Sequence, residues 1–190
     1  NADGYHLASG FGDVFMLCRT IGFSDGEIVV DLGGGAGEIA VLLSDYFQRE
    51  VYYMESDERL VSYFRWMRDE LTRTDYHTWD EVFERIHVVE GNFLAYDWRK
   101  FARRPVTFYY FQAGCDHPET IEQRLLDTPE LPAGTRLVTY QPVAQHHQHV
   151  YQFERLRQAG WERTAFDMAG GCGFNHIFYC FTRRYSFIGS

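Results

Sequence analysis

Ile28-Val29-Val30-Asp31-Leu32-Gly33-Gly34-Gly35-Ala36-Gly37-Glu38 constrains this chain more than any other stretch. An apolar run ends in an acid, a glycine-rich turn follows, and Ile39-Ala40-Val41-Leu42-Leu43 continues as a helix. Buried strand, tight turn and helix start in direct succession make the entry to an α/β nucleotide-type site. Glycine lets the backbone turn sharply and lets a ligand come close to the main chain.

The turn discriminates between ligands. A dinucleotide fingerprint, G-x-G-x-x-G, rests a pyrophosphate on the helix N-terminus. Here the third glycine arrives one residue early, at Gly37, and Glu38 follows. A carboxylate in the first turn suits the helix dipole but repels a pyrophosphate. S-adenosylmethionine has no phosphate and carries a sulfonium and a free amine, so an acidic glycine turn suits it better.

Apolar periodicity alternates strand and helix through the first two-thirds of the chain, which demands a mostly parallel sheet covered on both faces. Val51 to Glu55, Ile86 to Glu90, Val106 to Phe111, Arg136 to Tyr140, Trp161 to Met168 and His176 to Thr182 read as the further strands. The last two are joined by too few residues for a helical crossover and should be antiparallel. Asp13 reads as the cap of a first helix through Val14, Leu17, Cys18 and Ile21, and Asp57 as the start of a long one. Val150 to Ala159 reads as helical. The expected organisation is one domain over residues 1–190, with residues 1–25 as a loop and helix over the cofactor.

Ligands in open α/β sheets sit beyond the carboxyl ends of the strands. Glu55 ends the second strand 18 residues after Gly37, near the distance at which an acid meets ribose hydroxyls. Asn92 carries both a donor and an acceptor, matching an adenine edge, and Phe93 offers a ring for stacking. Each has a plainer reading as a turn residue or a core aromatic. Four scattered cysteines lack metal spacing and read as free thiols. His146-His147-x-His149 reads as a solvated segment, and no metal is expected.

Asp31 with Gly33, Gly35 and Gly37, then Glu55, then Gly91-Asn92-Phe93 resemble the class I methyltransferase fold, a Rossmann-like α/β sheet of seven strands with an antiparallel last strand. Glu90 to Arg99, Thr107 to Ala113 and Leu131 to Pro142 resemble something narrower, the disruptor-of-telomeric-silencing family of non-SET histone lysine methyltransferases. This resemblance runs from about Ser9 to Arg184. It implies that Asp31, Gly33 and Gly35 hold the methionine half of S-adenosylmethionine, with Ser9 and Phe11 folding over it. It gives Glu55 the ribose, and Asn92 and Phe93 the adenine. It places Phe111, Gln112 and Tyr179 at the lysine channel, where Phe111-Gln112-Ala113 stands in place of the family's asparagine pair. It further implies a nucleosomal histone substrate, S-adenosylhomocysteine as product and a nuclear location. Alternatives are a methyltransferase acting on a non-histone protein or small molecule, and a cofactor-binding domain without catalysis.

A net charge of −9 argues against sequence-specific nucleic-acid binding by this stretch, which needs basic surface. Nucleosome docking would rest on local arginines such as Arg99, Arg103 and Arg104. No N/D-P-P-Y stands after the fourth strand, so amino-group methylation of bases or glutamine loses weight. No apolar run approaches the ~18 residues of a membrane helix.

Overall fold

The strand at the glycine turn is an interior strand, third in a seven-stranded sheet ordered β3-β2-β1-β4-β5-β7-β6. A computed structural model describes residues 11–74, 78–110, 118–142, 151–169 and 175–185. In chain order the elements are α1 (Phe11–Ile21), β1 (Ile28–Leu32), α2 (Glu38–Asp45), β2 (Glu50–Glu55), α3 (Glu58–Thr72), α4 (Trp79–Glu84), β3 (Ile86–Glu90), β4 (Val106–Tyr110), α5 (Pro118–Leu126), β5 (Arg136–Pro142), α6 (Glu154–Gln158), β6 (Trp161–Ala169) and β7 (Asn175–Arg183). Strands β1 to β5 pair in parallel. Strand β7 inserts antiparallel between β5 and β6, as the short β6–β7 connection requires.

Alternation within the strands builds two cores. Val29, Val51, Tyr53, Tyr109 and Val138 face α1 to α4, together with Leu43, Val61 and Phe64. Ile28, Val30, Met54, Phe108 and Leu137 face the other way, onto Trp98, Phe101, α5 and α6. All five residues of β1 and of β4 are buried, as the period-two pattern of a doubly covered parallel sheet demands.

Two local expectations fail. Asp13 lies inside the first turn of α1 and is not its cap. Where residues 150–159 read as helix, only Glu154–Gln158 is helical among the described residues 151–159, because Phe153 takes a left-handed backbone, φ 48°. That turn sends the buried Phe153 ring into the second core, and Glu122 on α5 accepts the Leu156 N–H at 3.0 Å. Tertiary packing therefore sets where α6 begins.

The amino end of the sheet is tied by a buried ion pair. Glu27 and Arg136 meet at 2.5 Å. The Arg136 guanidinium also donates to Ile21 O, Gly22 O and Thr107 Oγ1. The end of α1 is thereby fixed to β4 and β5.

Candidate functional site

The order of strands reverses between β1 and β4, and the crevice at the carboxyl end of such a switch point is where open α/β sheets bind ligands. Asp31, near the end of β1, and Glu55, at the end of β2, arrive there through parallel pairing: Asp31 is aligned with Tyr53 and Leu32 with Met54.

The glycine turn is fixed from both sides. Gly33 N and Gly34 N donate to Met54 O at 2.9 and 3.0 Å. Glu55 Oε2 accepts the Gly35 N–H at 2.9 Å, while Oε1 accepts those of Ser56 at 2.7 Å and Asp57 at 2.8 Å. One carboxylate thus joins the glycine turn to the start of α3. Asp57 caps that helix through Arg59 N.

Beneath the turn lies a floor of aromatic rings that sequence reading assigns only to the core. Tyr53 donates to Gly35 O at 2.6 Å and stacks on Phe64 with ring centroids 4.6 Å apart. A Cβ on Gly37 would stand 2.1 Å from Phe64 Cδ2, and Gly37 has φ 85°. A Cβ on Gly34 would stand 2.5 Å from Tyr53. Side chains are excluded at both positions by contact, and at Gly37 by backbone conformation as well. The polar Tyr53 and helical Phe64 give their role away only once β2 and α3 are packed together.

Asp31 is 4% exposed. Its Oδ2 is buried without a hydrogen-bond partner and would lie 2.8 Å from a Cβ on Gly34. Burial, and next the Glu55 charge, push its carboxyl up to about 7. An unsatisfied buried acceptor of this kind costs free energy in the free protein. A cation nearby would favour its charged form. The cradle and the orphaned oxygen fit a ligand that brings a positive charge to a glycine turn, as S-adenosylmethionine would.

The third strand tip supplies less. Asn92 is exposed, and its Oδ1 caps a 3-10 turn by accepting Leu94 N at 2.9 Å. One amide N–H pair and a second lone pair are left for a base edge. Phe93 is half-buried, edge-on to Tyr110 at 6.2 Å, and its carbonyl accepts the Trp98 indole N–H. Trp98 is buried and stacks on Phe108, and Asp97 caps the next turn and binds Arg99.

Tyr179 lies on β7 opposite Thr139 and Ala165, on the face of Tyr151 and Phe181, with Arg163 5.2 Å above its ring. By register it stands level with Leu32 but three strands away. Phe11 begins α1. Ser9, Phe111 and Gln112 fall outside the described residues, as does the histidine cluster at 146–149. Among the described residues no group of three metal-binding side chains occurs, and no helix is long and apolar enough to cross a membrane. Cys18 and Cys180 are buried free thiols, and burial raises both, Cys18 to about 12.

Solved methyltransferases share this architecture. The glycopeptide N-methyltransferase MtfA aligns over 92% of this chain and 96% of its own, with TM-score 0.65 and 13% identity. A methyltransferase from Pyrococcus furiosus aligns over 93% and 84%, with TM-score 0.65 and 14% identity. An RNA methyltransferase from Salinibacter ruber, solved with S-adenosyl-L-homocysteine, aligns over 93% and 94%, with TM-score 0.56 and 16% identity. This is the class I methyltransferase fold. No family model matches the sequence, and no curated protein does. Within the class I methyltransferase fold, the glycine turn, Asp31 and Glu55 occupy the switch-point crevice, at the carboxyl ends of β1 and β2.

Proposed function

We propose that this chain is an S-adenosylmethionine-dependent methyltransferase whose acceptor is a small molecule or a protein other than a nucleosomal histone. The observation that carries the cofactor assignment is the buried, unpartnered Asp31 carboxylate beneath a glycine turn that Glu55 holds in place. When bound, the cofactor would supply a methyl group to an in-line acceptor nucleophile, the methyl–sulfur bond breaking as the new bond forms and S-adenosylhomocysteine leaving as the neutral thioether.

The chain's own residues contribute positioning more than acid–base chemistry. In this reading Asp31 answers the cofactor's cationic end, and Glu55, held by three backbone N–H groups, presents its remaining acceptor capacity to the ribose. Asn92 and Phe93 border the base. Phe111, Gln112 and Tyr179 remain proposed for the acceptor channel. An apolar, aromatic channel would favour the neutral amine of an acceptor.

Two observations support this acceptor reading. Two of the three arginines named for nucleosome docking are engaged locally: Arg99 pairs with Asp97 and Arg104 with Glu50. The block from Glu90 to Arg99, one of the three that carry the histone resemblance, contains two capped turns and a buried tryptophan with local structural tasks. The histone-lysine reading is favoured by the sequence blocks alone and stands second.

Mass spectrometry of products tests both. Purified protein and S-adenosylmethionine are incubated separately with nucleosomes, free histones, unrelated proteins and a small-amine panel. Methyl transfer to a non-histone acceptor and none to nucleosomes is expected. Transfer confined to a histone lysine reverses the order, and tight cofactor binding without transfer to anything points to a non-catalytic domain.

A further inference from the structure

The amino end of the sheet, opposite the glycine turn, carries a cleft of about 610 Å³ formed where β1 to β4 begin. That volume lies in the range of small-molecule sites, roughly 300–1,000 Å³. Arg49, Arg85, Arg104 and His87 line it, with Glu27, Glu50 and Glu84; Glu27 is taken by Arg136. Glu50 is already taken, by Arg104 at 2.6 Å and His87 at 3.1 Å.

Arg49 and Arg85 are different. Among the described residues neither has a carboxylate within ion-pair distance. They donate instead to backbone carbonyls around the end of α2. Arg85 Nη2 reaches Ser44 O at 3.1 Å. Arg49 reaches Phe47 O at 2.8 Å and, weakly, Ser24 O at 3.3 Å. Those bonds hold the guanidiniums in place but use few of the five N–H groups each carries. Arg49 is also held by stacking, 5.4 Å over the Phe23 ring. Fixed arginines with spare donors and no ion-pair partner are a phosphoryl-recognition arrangement. They stand out in a chain of net charge −9.

We propose that this cleft binds a small phosphomonoester, with Arg49 and Arg85 on the phosphoryl oxygens and the organic body along the remaining wall. The site is separate from the glycine turn and does not rest on the methyl-transfer reading.

Isothermal titration of the full chain with phenyl phosphate and with inorganic phosphate tests it. Phenyl phosphate is not a nucleoside and avoids competition for an adenosine site. Saturable binding is expected, tighter for phenyl phosphate than for inorganic phosphate. Arg49→Gln and Arg85→Gln should each weaken it about tenfold, the scale of a lost charge-assisted pair. Glu84→Gln should strengthen it about twofold by removing a lining carboxylate that has no ion pair among the described residues. Arg85→Gln also loosens the end of α2, so Arg49→Gln and Glu84→Gln carry the test if that variant does not fold. No saturable binding of either probe overturns the proposal. So do affinities unchanged in both Arg49→Gln and Glu84→Gln, or displacement of phenyl phosphate by S-adenosylhomocysteine.

Discussion

Glu27 and Asp31 stand four residues apart at opposite ends of one buried strand, 3% and 4% exposed. Glu27 is saturated: one oxygen takes Arg136 and the Thr107 hydroxyl, the other the Ser24 N–H at 2.7 Å. Asp31 has an oxygen with no partner at all. Two buried acids of similar exposure thus have opposite meanings. A carboxylate whose partners are supplied by the chain holds the fold together. One whose partner is missing spends stability in the free protein and recovers it only from a ligand.

The largest expected effect breaks the satisfied end. Arg136→Met leaves Glu27 buried and uncompensated and should cost ~3–5 kcal/mol in urea unfolding. Cofactor affinity per folded molecule should not change. A loss of affinity at full folding would mean that the two ends are coupled.

Gly37→Ala comes next. Its Cβ collides with Phe64, and its backbone is left-handed, so a loss of about 2–3 kcal/mol is expected with weaker cofactor binding. Thermal melting with and without S-adenosylhomocysteine reads both.

Asp31→Asn should act in the opposite direction to Arg136→Met. Removing the buried charge should stabilise the free protein at pH 8 by on the order of 1 kcal/mol. The sign follows from linkage. Asp31 rises from 3.8 to about 7 on folding, so between those values the native state holds more protons than the unfolded chain. Its effect makes stability fall as pH rises through that window. Asp31→Asn should flatten that slope in melts taken from pH 4 to 8. A cationic ligand favours the ionised form, so wild-type cofactor affinity should rise with pH through about 7. A slope unchanged in Asp31→Asn would remove the charge assignment.

Tyr53→Phe is the smallest change. It removes the bond to Gly35 O and should cost about 0.5–1.5 kcal/mol, visible in unfolding midpoints. A larger loss would mean that the hydroxyl holds more of the turn than one bond.

The same contrast explains what could be read from the sequence. Asp31, Gly37 and Glu55 were legible because a strand-end acid and a glycine turn leave a local mark in the chain. The mostly parallel sheet and the antiparallel last strands followed from element alternation and one short connection, whereas the strand order emerged only from the fold. Tyr53 and Phe64 were not legible as supports of the turn, since their roles depend on β2 and α3 meeting beneath it. The start of α6 was misread because Phe153 is turned by packing and by Glu122, residues distant in sequence. Asn92, Asp97 and Trp98 looked like a family signature, and the structure gives each a local task.

Glu55 decides the central claim. Glu55→Ala is expected to remove most cofactor affinity. Its bonds to Gly35, Ser56 and Asp57 imply some loosening as well, so Glu55→Gln, which keeps the shape, is the better variant. Isothermal titration with S-adenosylhomocysteine at pH 8 is the measurement, on wild type, Asp31→Asn and Glu55→Gln. Saturable binding by wild type is expected, weakened about tenfold or more in each variant, with no binding of NAD. Wild-type protein that binds no S-adenosylhomocysteine, or variants that bind it equally well, would contradict the account.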